Sequence, residues 1–200
     1  LSNRSFVSKA ISKLSFLSGM ASIGNVCRVP EYLISLCQKI PSLSKNLCKD
    51  FEFASLCEGN LGVPRHQMPQ VFGSIKSNFL KEKENQGIKV EKRLVPATQL
   101  TPVQNELSRA KVDELLDSFA KLLVNPCEKA ILVSSQNENG KQYVIDGHHR
   151  YAACRLLGGT QEVIAIHDKI NNILSELETF PGVRRSTFEN LEACAGTERD

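Results

Sequence analysis

Tyr143-Val-Ile-Asp-Gly-His-His-Arg-Tyr-Ala-Ala153 decides how the chain is read. Gln142 to Ile145 is a short β-prone run, and it delivers Asp146 and Gly147 to a tight turn. A helix then begins at about His148 or His149 and leaves at Gly158. The first N–H groups of a helix have no partner within it and its dipole is positive there, so Arg150 and two imidazoles beside that end make the parts of a phosphate site. Gly147 would let the backbone come close to a ligand. Neighbouring helical side chains point about 100° apart, so His148 and His149 do not readily share one metal ion. Neither His66 nor His167 supplies zinc spacing. On the residues alone a second reading stays open, in which His148 caps the helix and His149 is a satisfied core residue.

Working outward, Ala130-Ile-Leu-Val-Ser134 suits a buried strand, and Asn137-Glu-Asn-Gly140 is turn chemistry, so the segment pairs with Gln142–Ile145 as a hairpin. Downstream lie a strand at Glu162–Ile166, a helix from about Lys169 to Leu177, and a polar end after Pro181 that reads as a short helix or tail. Upstream, Ile88 to Val95 alternates as a strand does. In Leu100-Thr-Pro-Val-Gln-Asn-Glu106, Thr101 is a candidate N-cap, Pro102 takes the first helical position and Gln104 completes a capping box. Val112, Leu115, Leu116, Phe119, Leu122 and Leu123 then form an apolar stripe that ends before Pro126. These signals predict a compact α/β domain with a small mixed sheet over about 61–180, followed by a polar tail at 181–200.

The chain has 200 residues, enough for one core and an appendage. Its net charge of +3 is uneven: residues 1–50 hold seven basic and two acidic residues, which leaves the rest near −2. That is a poor surface for wrapping nucleic acid, and with no Trp and 6% aromatic residues the stacking platforms of single-strand readers are scarce too. Residues 1–58 read as a basic helical appendage hinged at Glu58–Gly62. Its first 24 residues carry seven serines and no acidic residue, with Val7, Ala10, Leu14, Leu17 and Ala21 at helical spacing. An organelle transit segment and an ordinary surface helix both fit. A second helical segment, about Glu31 to Lys39, ends at Pro41. No apolar run nears the roughly 18 residues of a membrane span, so an integral membrane protein is not expected. The seven cysteines show no CxxC pair and read as reduced, buried thiols of an intracellular, reducing compartment, with organelle targeting or secretion as an effector as further expectations.

The turn resembles the signature of the ParB/sulfiredoxin superfamily. Together with Leu61-Gly-Val-Pro-Arg-His-Gln-Met-Pro-Gln70, Leu100-Thr-Pro-Val-Gln104, Lys111-Val112 and Ile131-Leu-Val-Ser134, it looks most like the ParB-like nuclease group. The resemblance covers about residues 61–175 and implies a fold more firmly than a chemistry. Sulfiredoxins carry Gly-Cys-His-Arg where this chain has Gly147-His148-His149-Arg150, so the nucleophilic thiol is replaced, and Cys154 does not stand in for it. Partition ParB proteins have a Gly-Glu-Arg-Arg-like turn and a following helix-turn-helix, which the residues after Pro181 are too few to supply. The superfamily's free-serine kinases carry a turn similar to Asp146–Arg150.

The resemblance thus implies nucleotide-dependent phosphoryl transfer or hydrolysis with ATP, ADP or CTP. Gly147 and the amides of His148 and His149 would cradle phosphates, Arg150 would neutralise charge, and Asp146 would hold Mg²⁺. His149 is the better side-chain donor to a phosphate oxygen, Glu106 and Glu91 are candidate bases, and Arg65 and His66 are candidates for the opposite wall. The acceptor is an unidentified small molecule or protein. A metal-dependent nuclease using Asp146 with His148 or His149, and a non-catalytic nucleotide-binding module, are the alternatives.

Overall fold

The computed structural model describes residue 53, residues 55–185 and residues 192–193. The expected helical segments of residues 1–50 lie outside the described residues. In chain order the elements are β1 (Pro69–Gln70), α1 (Gly73–Asn85), β2 (Val90–Pro96), β3 (Leu100–Pro102), β4 (Glu106–Leu107), α2 (Arg109–Ala120), β5 (Ile131–Ser134), β6 (Gln142–Asp146), α3 (His148–Leu156), β7 (Thr160–Ile166), α4 (Ile170–Thr179), β8 (Arg184–Arg185) and β9 (Glu192–Ala193).

A mixed five-stranded sheet in the order β2-β7-β5-β6-β3 organises them, as expected of a mixed α/β domain. β5 and β6 pair antiparallel, which is the hairpin read from Asn137–Gly140, and β5 pairs parallel with β7 on its other side. Successive strand residues point to opposite faces, and the chain uses both. Val133, Val144, Val163 and Ala165 face a core with Tyr151, Ala152 and Val112 of α3 and α2. Leu132, Ile145, Ile164 and Ile166 face a second core with Phe79, Ile173 and Leu177 of α1 and α4. Every residue of β5 is buried, which explains its unbroken apolar run.

Four local expectations are corrected. Thr101 does not cap a helix: Leu100–Pro102 is a strand parallel to β6, with Thr101 opposite Tyr143. Pairing with the sheet overrides the capping pattern, and α2 instead opens at Arg109, where Ser108 Oγ accepts the Lys111 N–H. The apolar stripe also overran its helix: Leu122 has a φ of 57° and stands 91% exposed, with Leu123 at 73%. The polar tail forms short strands, not a helix, where it is described: β8 pairs with β1 and β9 with β4. Finally, Cys127 and Cys154 are disulfide-bonded, and so is Cys57, in place of free thiols. The loop before β5 comes within 5.0 Å of α3, Cα to Cα, which is bridging distance.

Phe53, Leu56 and Cys57 are buried in the same core as Tyr151, so that core takes in residues placed before the expected boundary at 58. The Tyr151 hydroxyl reaches the carbonyls of Leu56 and Leu100 at 3.2 and 3.3 Å, which ties this entry segment to α3. On the opposite face, Lys83 of α1 is fully buried and pairs with Asp168 and Glu176 at 2.9 and 2.6 Å, fastening α1 to α4. Among the described residues no helix is long and apolar enough to cross a membrane.

Candidate functional site

Asp146 ends β6 and Gly147 turns the chain into α3. Gly147 has a φ of 92°, and a Cβ there would lie 2.4 Å from Ile131 Cγ2, so no side chain fits on either count. The register of β5 against β6 shifts between Leu132 and Val133, an irregularity beside the turn of the kind that re-aims strand ends. The N–H groups of the first helical turn, from His148, His149 and Arg150, have no acceptor within the helix. The Gly147 N–H bonds the Asp146 carboxylate.

The two histidines have different environments. His148 is buried, its Nε2 accepting from the Val103 N–H at 3.2 Å and more weakly from Gln104 at 3.4 Å, while its other nitrogen donates to the Val144 backbone. Burial, with Arg65 and His149 adding to it, holds its pKa well below the ordinary value, so the ring is neutral. The side chain is a brace between β3 and β6 and has no nitrogen left for a ligand, whereas the sequence expectation gave it a catalytic part. His149 is half-buried and accepts the Ser108 N–H on Nε2 at 3.0 Å, which leaves the proton on Nδ1 of the neutral ring. Burial first, then Arg65 and Lys111, lower its pKa to about 4. Because Ser108 is the N-cap of α2, this contact holds the positive ends of two helices side by side.

Charge at the site is mostly positive. Arg150 lies 3.5 Å from Asp146 and donates to the Ala130 carbonyl at 3.2 Å; the same carbonyl takes Lys76 Nζ at 3.4 Å. Arg65 acts on Asp146, His148 and His149 from the other wall, and Lys111 acts on His149. Burial raises the Asp146 pKa, against the pull of Arg150, Lys76 and Arg65. The side chains of Asp146 and Arg150 are 24% and 27% exposed, so solutes reach this cluster.

Of the other expected residues, Glu106 accepts the Arg65 backbone N–H at 2.8 Å and so fixes the turn that presents Arg65. His66 is exposed in the same 3₁₀ turn. Glu91 is not part of the cluster. It sits on β2, with β7 and β5 between it and β6, and its carboxylate is held to about pKa 2 by Lys89 and then His167. Lys76 was not read as a site residue at all, since α1 was not recognised; the spacing of Ile75, Phe79 and Lys83 was its only sequence signal. Lys111 was seen within a motif but given no role.

Comparison of the chain with family models and with curated proteins finds no match. A sulfiredoxin from Arabidopsis thaliana is similar in structure at 22% identity and a TM-score of 0.34, over 44% of this chain and 97% of that one. Protein Atu1540 from Agrobacterium tumefaciens is similar at 16% identity and a TM-score of 0.35, over 55% of this chain and 62% of its own length. A sulfiredoxin thus stands among the partial structural likenesses of this fold, and neither likeness singles out the ParB-like nuclease group.

Proposed function

We propose that the domain binds the polyphosphate of a nucleotide such as ATP, ADP or CTP at the Asp146–Arg150 turn and transfers or hydrolyses its terminal phosphoryl group. The observation that carries this reading is the convergence of two helix N-termini with Arg65, Lys111 and Arg150 around one open turn. Backbone amides of His148 and His149 and the Nδ1–H of His149 donate to phosphate oxygens. Arg150 and Arg65 offset the charge that spreads over the phosphoryl group, which is where enzymes of this type gain most of their rate.

Glu106 serves here by setting the Arg65 turn and is the carboxylate on that wall able to take an acceptor's proton. Mg²⁺ would meet one carboxylate, Asp146, already matched by Arg150, Lys76 and Arg65. No group of three or more His, Cys, Asp or Glu capable of holding a metal occurs among the described residues. These residues do not build a metal site of their own, and Mg²⁺ enters this reading only as the counter-ion a nucleotide brings. The same donor set suits an anion better than the ion and water of a metal-dependent nuclease.

Incubating the protein with ATP, ADP or CTP, with and without serine or nucleic acid, and following the products by phosphorus NMR tests the proposal. Nucleotide turnover is the expected result, with an acceptor phosphorylated if one is supplied. Binding without turnover would reduce the domain to a nucleotide-binding module, cleavage of nucleic acid would make it a nuclease, and neither binding nor turnover would remove the reading.

A further inference from the structure

Lys76 and Lys83 are two turns apart on one face of α1, and their surroundings differ. Lys83 has two carboxylates. Lys76 is half-buried, and among the described residues its ammonium has one hydrogen-bond partner, the Ala130 carbonyl at 3.4 Å, and no carboxylate in ion-pair contact. Arg150 donates to that same carbonyl at 3.2 Å, so two cations meet on one oxygen. Their mutual repulsion is relieved at a distance by carboxylates, chiefly Asp146, 3.5 Å from Arg150, and less by Glu162. A partly desolvated cation with no carboxylate in contact is costly, and an anion placed beside it would add the close pairing that Asp146 and Glu162 do not make.

The interactions of these groups divide the site. Lys76 interacts with Asp146, Arg150, Lys92 and Glu162; His149 interacts with Arg65 and Lys111. Asp146 is common to the two sets, since it interacts with Arg65 and with Lys76. A polyphosphate held by Arg65, Lys111 and Arg150 would have to pass this carboxylate, of its own sign, to reach Lys76 as well. Two separate anions, one on each side, would not.

We propose that Lys76 and Arg150, joined on the Ala130 carbonyl, form a second anion subsite on the α1 side of Asp146, and that it takes the carboxylate or phosphate group of a small anionic acceptor. The inference rests on the nucleotide reading for the word acceptor, while the subsite itself rests on the Lys76 geometry. It names a substrate class, a small oxyanion-bearing molecule, in place of a neutral or macromolecular one.

The test uses the full chain saturated with ADP, titrated with inorganic phosphate in one arm and malonate in the other, and followed by amide NMR shifts. Both anions are expected to bind, the tighter one identifying the kind of oxyanion, with shifts at Lys76 and Ile131. Lys76→Gln should weaken that binding roughly tenfold and leave ADP affinity within about twofold, Lys76→Arg should restore it, and Lys111→Gln should do the reverse by weakening ADP. Loss of ADP affinity in Lys76→Gln equal to that in Lys111→Gln would place Lys76 on the nucleotide's own phosphates and overturn the subsite. Anion binding indifferent to Lys76→Gln, or absent, would overturn it too. If ADP fails to bind while phosphate or malonate still depends on Lys76, the nucleotide reading falls and the subsite stands.

Discussion

Lys83 Nζ lies 2.9 Å from Asp168 and 2.6 Å from Glu176, so one fully buried ammonium joins the last turn of α1 to one residue just ahead of α4 and one within it. Lys83→Ala is expected to cost about 2 kcal/mol, because it deletes two charge-assisted bonds and leaves a cavity, while Asp168 and Glu176 keep access to solvent. Burial acts to raise the Asp168 pKa, but bonds from Lys83, Asn172 and the Lys169 N–H bring it below 3.8. A carboxyl depressed in the folded state contributes stability that is complete above its unfolded value and fades as pH falls through the folded one. Denaturant melts below pH 4 should therefore show a shallower acid loss in Lys83→Ala than in the parent.

Arg150→Ala is expected to weaken nucleotide binding by tenfold or more, since a charge-assisted hydrogen bond is worth roughly 1.5–3 kcal/mol. The side chain is 27% exposed and its bonds are long, so the fold should persist. Calorimetric titration of ADP into the folded variant decides it, and unchanged affinity would remove the phosphate role.

Asp146→Asn keeps an oxygen for the Gly147 N–H and deletes a carboxylate whose pKa burial has raised. A raised carboxyl holds its proton better when folded, so stability falls as pH climbs from 3.8 through the folded pKa, and that cost persists at neutrality. At pH 7 the variant should melt within about 5 °C of the parent while losing turnover. A much larger fall in melting temperature would assign Asp146 to holding the turn together.

His149, with a pKa lowered to about 4, binds its proton less readily folded than unfolded. Its contribution to stability is full above the ordinary 6.5 and is lost progressively as pH falls from there to about 4. Thermal melts between pH 7 and 4 should therefore fall less steeply in His149→Gln than in the parent. Parallel slopes would mean that burial and the neighbouring Arg65 and Lys111 do not hold the ring neutral.

The Cys127–Cys154 bridge closes a loop over a sequence separation of 27, for which chain entropy gives about 3–4 kcal/mol. Cys127→Ser should lose about that much in denaturant unfolding. A loss below about 1 kcal/mol would show that Gln161, whose amide donates to the Pro126, Cys127 and Lys129 carbonyls, fastens this loop by itself.

The turn and its hairpin were legible in the sequence because their information is local. Asn137–Gly140 reverses the chain between two apolar runs, and Asp146-Gly147 joins a strand to a helix over adjacent residues. Thr101 was misread because its partner, Tyr143, is far along the chain and leaves no mark on the neighbouring residues. α1 was missed because a lysine occupies one of its two buried positions, which breaks the apolar period, and Lys76 was lost with it. The role of His148 was invisible for a related reason: both backbone amides that meet its Nε2 belong to residues more than forty positions away.

β1 pairs with β8, Pro69 opposite Arg185, and Arg185 also donates to the Gln67 carbonyl at the end of the Arg65 turn. During synthesis β1 has no strand partner until the ribosome has released residue 185, long after the β6 turn and α3 have emerged. Non-local pairings of this kind form late. The cationic wall at Arg65 should then be the final part of the site to set, and a nascent chain halted near residue 180 would hold that wall from one side alone, through Glu106 and the Val63–Gln104 bridge.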